Sequence, residues 1–259
     1  MPEEFSLGML EVDVAVRRAG LPASWAPFDI RSAVQAAGDD AIATYDRLNA
    51  EAWDAMRARH LADRDKLDVD VAHTLRAWTQ PDVLIIVRAV ELSDRRRVYY
   101  RAAVAEGLGV LSEQVGDDIT FLQIRPDRLV DAVVGTLPPY RAVPVRPVTI
   151  TRHAKPAPQA ERDFSTEDFT TEPSRAEQEA LVSFNQWPPH RLGSVELHVR
   201  TGHSALHNQG VVTFFDSDGG RFLVFTEPLS GGEKRLRYVP SDGSHLRRWL
   251  HETIAEVDR

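Results

Sequence analysis

Cysteine is missing from this chain altogether: none of its 259 residues is a cysteine. Disulfides and thiolate metal sites are therefore excluded, and we expect the fold to rest on packing alone. No apolar run approaches the about 20 residues of a membrane-spanning helix, and the opening MPEEFSLGML lacks the basic start of a secretion signal. We therefore expect a cytoplasmic protein that does not insert into a membrane.

Basic charge is also scarce, since 31 Lys and Arg residues stand against 39 Asp and Glu, for a formal net charge of -8. Sequence-independent binding to nucleic acid depends on cationic groups that displace counterions from phosphates. We therefore expect no nucleic-acid partner. The 42% of hydrophobic and 27% of charged residues are typical of a globular protein that can bury its own core.

Helical spacing marks the start of the chain, where apolar residues recur three and four positions apart. Proline at position 81 closes this stretch because it removes a backbone donor. Three helices are predicted before it: one carrying Leu7, Leu10 and Val14, one capped by Asp39 or Asp40 and running to Met56, and one from Asp68 to Trp78.

After Pro81 the pattern changes to short runs rich in β-branched residues and separated by polar turns. A further helix is predicted to open at Pro126, because proline suits the first helical position. Four strands are predicted between the two prolines: Val83 to Leu92, Val98 to Val104, Gly109 to Val115 and Ile119 to Ile124.

The back of the chain repeats this order after a stretch from Pro144 to Pro173 with little periodicity, which is predicted to be a mobile connection. Ser174 and Glu177 form a capping box that opens a helix. Four strands and a closing amphipathic helix follow: Val195 to Arg200, Gly210 to Phe215, Arg221 to Thr226, Arg235 to Val239, and a helix carrying Leu246, Trp249, Leu250 and Ile254.

Each half of the chain is thus predicted to hold a helix, four strands and a helix. We predict an α+β fold: a quasi-two-fold, pseudo-duplicated protein with a central, mainly antiparallel twisted β-sheet flanked by helices. The predicted halves are residues 1–143 and 174–259, joined by the Pro-rich acidic connection at 144–173, and together they form one domain.

Each candidate for chemistry lacks a required partner. Gly202-His203-Ser204-Ala205 resembles part of a nucleophile elbow, but the following glycine is missing. His203 and His207 are four residues apart, as two metal ligands on a helix would be, yet no third ligand is placed near them. We therefore expect no catalytic residue, no metal, no cofactor and no enzymatic activity.

Two turns resemble ligand loops only in part. Asp216, Asp218 and Glu227 fall at positions one, three and twelve of a calcium-loop template, but Arg221 stands where the template requires glycine. The segment from Ser230 to Lys234 resembles a phosphate loop in composition alone. Both are interpreted as hairpin turns.

One polar run and one apolar hairpin are candidates for contact with a protein. Arg95-Arg96-Arg97 lies between two predicted strands, either as a solvated tip or as a set of planar donors for an acidic partner. The hairpin carries apolar residues on both faces: Val212, Phe214, Leu223 and Phe225 on one, and Val211, Phe215 and Phe222 on the other. Helices are expected to cover one face, and a further helix, a second subunit or a client the other, with core packing the commoner outcome.

The segment from Gly210 to Val224, GVVTFFDSDGGRFLV, resembles the late hairpin of the EspG family, the type VII (ESX) secretion-associated proteins of actinobacteria. The similarity extends to the opening from Phe5 to Pro22, the helix around Trp53, the segment from Leu67 to Trp78 and the terminal helix. It implies an α+β fold with quasi-two-fold symmetry around an antiparallel sheet. It also implies a cytosolic chaperone that binds helical PE-PPE-like substrate pairs, keeps them soluble and delivers them to the secretion machinery.

The resemblance further implies a partner surface on the sheet, on one loop between strands and on the C-terminal helical region. By position, and together with the apolar hairpin, the candidate partner-binding residues are Ser93, Asp94, Arg95, Arg96, Arg97, Val212, Phe214, Leu223, Phe225, Leu246, Trp249 and Leu250. Two other functions stay open. One is a dimerisation or regulatory module, including a homodimer, and the other is a small-molecule-binding enzyme with His203 and His207 as its polar centre.

Overall fold

The computed structural model describes residues 3–30, 41–153, 175–202, 205–230 and 233–257. Within these ranges the chain forms six α-helices, one 3-10 helix at Pro126–Arg128 and twelve strands. The helices are α1 Met9–Arg18, α2 Ala41–Ala58, α3 Val69–Thr79, α4 Leu129–Gly135, α5 Arg175–Asn185 and α6 Ser244–Val257. The strands are β1 Glu4–Gly8, β2 Ala62–Asp63, β3 Lys66–Leu67, β4 Val83–Glu91, β5 Arg96–Ala105, β6 Leu108–Val115, β7 Asp118–Ile124, β8 Val148–His153, β9 Pro189–Arg200, β10 Leu206–Ser217, β11 Gly220–Pro228 and β12 Glu233–Pro240.

Ten strands are hydrogen-bonded into one sheet, in the order β1-β7-β6-β5-β4-β9-β10-β11-β12-β8, and β2 pairs with β3 in a separate ribbon. The pairs of β1 with β7, β5 with β6, β6 with β7, β10 with β11, β11 with β12 and β12 with β8 are all antiparallel. The predicted α+β class with a large, mainly antiparallel sheet is confirmed.

Both halves of the chain follow one topology. In the front half, β1 precedes the four-strand meander β4 to β7 and pairs with its last strand. In the back half, β8 precedes the meander β9 to β12 and likewise pairs with the last strand. A helix follows each meander, α4 in the first case and α6 in the second. The repeat therefore contains a leading strand that the sequence pattern did not predict.

The chain divides into two compact units. Residues 148–153 of the predicted connection form β8, whereas residues 154–173 lie outside the described residues. The proposed boundaries near residues 143 and 174 stay a prediction. Unit 1 comprises Met1–Ile86, Tyr99–Val133 and Val199–His207, and unit 2 comprises Val87–Val98, Val134–His198 and Asn208–Arg259.

Unit 1 is organised around Trp78 on α3. Its ring stacks on Phe28 at 6.0 Å between centroids and meets Phe121 edge-on at 5.2 Å. The indole Nε1 donates a hydrogen bond to Ser112 Oγ at 2.8 Å, so the polar atom of this buried side chain is satisfied. The helix begins as predicted at Asp68, whose carboxylate accepts hydrogen bonds from backbone amides of the first turn.

Unit 2 covers both faces of its hairpin with helices. On one face the Phe225 ring lies 6.2 Å from Trp249 of α6. On the opposite face Phe184 of α5 meets Phe222 at 5.1 Å and Tyr238 at 5.5 Å. Packing within the chain thus accounts for the buried apolar residues on both faces of β10 and β11, whereas Val211 and Phe215 are only partly buried.

Several local predictions need correction. Leu7 lies in β1, where Leu7 pairs with Ile119 of β7, and not on the face of the first helix, which begins at Met9. β9 begins at Pro189, six residues before its predicted start at Val195. The predicted caps at Asp39, Asp40 and Ser174 lie outside the described residues. All eight predicted strands occur in the predicted order, and the helices α3 and α6 lie where the sequence pattern predicted them.

Candidate protein-binding surface

The turn between β4 and β5 carries the predicted basic run. We call its residues, Ser93, Asp94, Arg95, Arg96 and Arg97, the arginine turn, and all five are exposed. The Asp94 carboxylate accepts a hydrogen bond from the Arg96 amide at 2.9 Å, and Arg95 has a φ of 57°. Across the described ranges none of the three guanidinium groups forms an ion pair. The turn therefore presents three exposed guanidinium groups, with the Asp94 carboxylate as its one acidic side chain, on a chain that is acidic as a whole.

The base of the arginine turn is fixed to β9. The Leu92 amide donates a hydrogen bond to the His190 carbonyl at 2.8 Å. One residue earlier, Glu91 Oε1 lies 3.5 Å from Nε of Arg191, whose side chain is only 5% exposed. The His190 ring in turn shares a hydrogen bond between its Nε2 and the Tyr140 hydroxyl, 2.6 Å apart. Backbone and side-chain contacts therefore both anchor this turn.

The predicted hairpin residues are interior. Val212 pairs with Phe225 and Phe214 with Leu223 across β10 and β11, so all four side chains lie on one face of the sheet. Each of the four is at most 5% exposed. These side chains form part of the core beneath α6 and are not themselves at the surface.

The three predicted residues of the terminal helix differ in how far they are buried. Leu246 and Leu250 of α6 are fully buried, whereas Trp249 on the same helix is only partly buried. The Trp249 ring packs edge-on against Phe225, and it lies close enough to Gly210 that a Cβ there would sit 3.2 Å from the indole. Of the three helix residues, Trp249 is thus the one that reaches the surface.

Sequence reasoning missed a group of buried arginines. Arg221 on β11 donates two hydrogen bonds to the Asp216 carboxylate, and its guanidinium lies 5.6 Å from the ring of Phe214. Arg191 also approaches that ring, at 5.7 Å. Arginine is read from sequence as a surface residue, so only the alternation of β10 and β11, which places Asp216 opposite Arg221, would have indicated the pair.

The candidate ligand loops take other roles. Asp216 is buried against Arg221, the Asp218 side chain is fully exposed, and Glu227 accepts a hydrogen bond from Arg235 at 3.4 Å. These three carboxylates do not share a site. His203 lies outside the described residues, and His207 is an exposed residue of β10. Within the described ranges there is no group of three or more His, Asp or Glu side chains that could hold a metal ion.

The length and polarity of the helices bear on membrane contact. In the part of the chain that the structure describes, every helix is too short or too polar to cross a lipid bilayer.

Comparison with known proteins identifies the family. A sequence model of the EspG family matches residues 9–252. The chain belongs to the EspG family. Among solved structures, this EspG-family chain is similar to the Mycobacterium tuberculosis type VII secretion system chaperone EspG5, solved in complex with a PE25-PPE41 dimer. That match has a TM-score of 0.64 and 10% sequence identity, and it covers 98% of this chain and 96% of the other. At this identity the likeness shows the fold, and a search of curated proteins finds no match.

Proposed function

We propose that this protein is a cytosolic chaperone that binds helical type VII secretion substrates of the PE-PPE kind, keeps them soluble and directs them to the ESX machinery. Membership of the EspG family over residues 9–252 supports the proposal. So does the similarity of the whole fold to a structure whose chaperone holds a PE25-PPE41 dimer. In this proposal the protein binds its client without catalysing a reaction.

The exposure of the arginine turn is the reason for assigning client contact to particular residues. Its three guanidinium groups are exposed and have no ion-pair partner in the described chain, which leaves them free to meet acidic groups of a client. Among the remaining candidates, Trp249 also reaches the surface. We therefore propose that Ser93 to Arg97 and Trp249 contact the client directly.

The buried candidates take a supporting role in this proposal. Val212, Phe214, Leu223 and Phe225 lie on one face of the sheet, where the Phe225 ring meets Trp249 of α6, and Leu246 and Leu250 of that helix are fully buried. Truncating any of them would change the surface through the position of α6 and the stability of the core. Their effect on a client is thus indirect, whereas that of the arginine turn is direct.

The test is co-expression with a PE-PPE pair encoded beside a type VII secretion locus, followed by gel filtration with light scattering. We expect one peak that contains the chaperone and both client chains. The matched variants are the triple change R95A/R96A/R97A and the control R47A/R125A/R128A, which removes three exposed arginines that each have an acidic partner. Loss of the complex only in the first variant supports the proposed surface, and absence of any complex with the unaltered protein overturns the proposed function.

Light scattering of the protein without and with its client separates a chaperone from a dimerisation module. The mass of a chaperone complex changes when the client is added. A dimerisation module is a dimer without the client, and its mass stays the same when the client is added.

A further inference from the structure

The arginine turn is tied to the core by a closed set of contacts in unit 2. We call its members, Glu91, Tyr140, His190, Arg191, Phe214 and Arg221, the turn clamp. Two contacts join the clamp to the turn. The Leu92 amide donates a hydrogen bond to the His190 carbonyl, and Glu91 faces Arg191. Leu92 and Glu91 are adjacent, so both contacts lie at the base of the turn.

The first arm of the turn clamp runs through two rings. The His190 Nε2 and the Tyr140 hydroxyl lie 2.6 Å apart in a hydrogen bond, and their ring centroids are 5.4 Å apart. The Arg221 guanidinium lies 5.4 Å from the Tyr140 ring. Burial, with the carboxylates of Asp216 and Glu91, raises the pKa of Tyr140 above its ordinary value, so the hydroxyl keeps its proton at neutral pH.

The second arm runs through Phe214. The guanidinium groups of Arg191 and Arg221 lie 5.7 Å and 5.6 Å from its ring centroid. Arg221 is paired with Asp216, and the buried Arg191 Nε lies 3.5 Å from Glu91 Oε1. Arg191 thus lies between the Phe214 ring and the carboxylate of Glu91, the residue that precedes Leu92 at the base of the turn.

Resting on the proposed function, we propose that the turn clamp is a positioning device for client recognition, and that the Tyr140 hydroxyl, through His190, fixes the geometry in which the arginine turn meets acidic groups of the client. Tyr140 touches no client in this proposal. A turn that is held in its bound geometry loses less conformational entropy on binding, and bidentate contacts of arginine with carboxylates depend on that geometry. Removing the Tyr140 hydroxyl should therefore change affinity and leave the fold intact.

The test compares Y140F, which removes one hydroxyl of the clamp, with Y45F, which removes one hydroxyl on α2 in unit 1. For Y140F we expect the Kd for a PE-PPE pair to rise about fivefold, mainly through faster dissociation, because one hydrogen bond no longer restrains the turn. Amide exchange at Leu92 to Arg97 should become faster, while the thermal unfolding midpoint stays close to that of the unaltered protein. Y45F should change none of these quantities.

A double-mutant cycle then separates positioning from general stability. If Tyr140 acts through the turn, the double variant Y140F/R95A loses less affinity than the sum of the single losses. H190Q, which retains a hydrogen-bonding side chain, should preserve more affinity than H190A. Equal Kd and equal exchange for Y140F and the unaltered protein overturn the turn clamp, as does strict additivity in the cycle. Failure of the unaltered protein to bind any client overturns the proposed function instead, and the exchange measurement still decides whether Tyr140 restrains the turn.

Discussion

Arg221 on β11 donates hydrogen bonds to both carboxylate oxygens of Asp216 on β10, at 2.5 Å and 2.8 Å, and both side chains are at most 2% exposed. The two residues are direct partners in the hairpin register. The segment that resembles the family hairpin in sequence is thus held by a buried ion pair. In a calcium loop, Asp216 would be a metal ligand and the position of Arg221 would be a glycine.

Removing one member of this pair should destabilise the protein strongly. For D216A we expect a loss of about 3 kcal/mol, because Arg221 is left as a buried charge without its carboxylate. The free energy of unfolding in urea measures the loss. The double variant D216L/R221M, which removes both charges, should be more stable than D216A. A double variant that is as unstable as the single one would contradict this account.

Gly193 on β9 is a position where no side chain fits. A Cβ added there would overlap the Arg88 carbonyl oxygen and the Phe214 ring. We therefore expect G193A to destabilise the protein by about 2 kcal/mol, as overpacking of a core does. G135A at the end of α4 is the matched control, because a Cβ there meets nothing within 4 Å. Urea unfolding of both variants checks the prediction, and equal stabilities would show that the β9 site relaxes freely.

Arg101 on β5 donates hydrogen bonds to backbone carbonyls in unit 1. Its guanidinium donates to the Trp78 carbonyl at 2.7 Å and to the Ala26 carbonyl at 2.6 Å, and it lies 4.9 Å from the Trp78 ring. Burial lowers its pKa to about 9, so the group is still charged at neutral pH. R101M should cost about 2 kcal/mol in urea unfolding, because buried carbonyls lose their donors. The exposed change R125M should stay within about 0.5 kcal/mol of the unaltered protein.

Glu196 on β9 gives the stability a defined dependence on pH. The His198 ring, whose Nε2 lies 3.5 Å from Glu196 Oε2, and beyond it the charge of Arg88, lower the pKa of Glu196 below its ordinary value. A carboxyl whose pKa is lower in the folded state contributes stability above its unfolded pKa of about 4.3 and loses it as the pH falls through the folded value. The stability difference between the unaltered protein and E196Q should therefore be full at pH 7 and shrink below about pH 4.3.

The measurement for Glu196 is the urea midpoint of both proteins across that pH range. E51Q is the control, since Glu51 pairs with Arg47 at the exposed surface of α2. If the difference in stability between E196Q and the unaltered protein did not vary with pH, an ion pair of Glu196 with Arg88 would be ruled out.

Client binding through the arginine turn should depend on salt. Exposed charge pairs weaken as ionic strength rises, because the Debye length falls from about 10 Å at 0.1 M to about 3 Å at 1 M. We expect the Kd for a PE-PPE pair to rise with salt for the unaltered protein, and to rise less steeply for R95A/R96A/R97A. Isothermal titration at three salt concentrations tests this. Equal salt dependence for the two proteins would show that the arginines do not face acidic groups in the complex.

Much of the fold could be read from local patterns. Alternation predicted the strands of both meanders, the Asp68 cap predicted α3, and three-and-four spacing predicted α6. These signals are local, because side chains on one face of a strand or helix recur with its own period. The hairpin segment also carried the family resemblance, which the match over residues 9–252 confirms.

The leading strands β1 and β8 escaped prediction for a physical reason. Each has only five or six residues, and each pairs with a strand far along the chain, as Phe5 does with Phe121. Their strand conformation depends on that distant partner more than on their own periodicity. Leu7 was consequently assigned to a helical face.

What the sequence by itself determined was the order of helices and strands, the two-fold repetition of that order and the position of an exposed basic turn. Only the tertiary structure decided which apolar face is covered by which helix, and that Arg101, Arg191 and Arg221 are interior. The reason is that burial depends on what packs against a side chain from elsewhere in the chain. A guanidinium is stable inside a protein only where distant carbonyls, rings and carboxylates are brought to it.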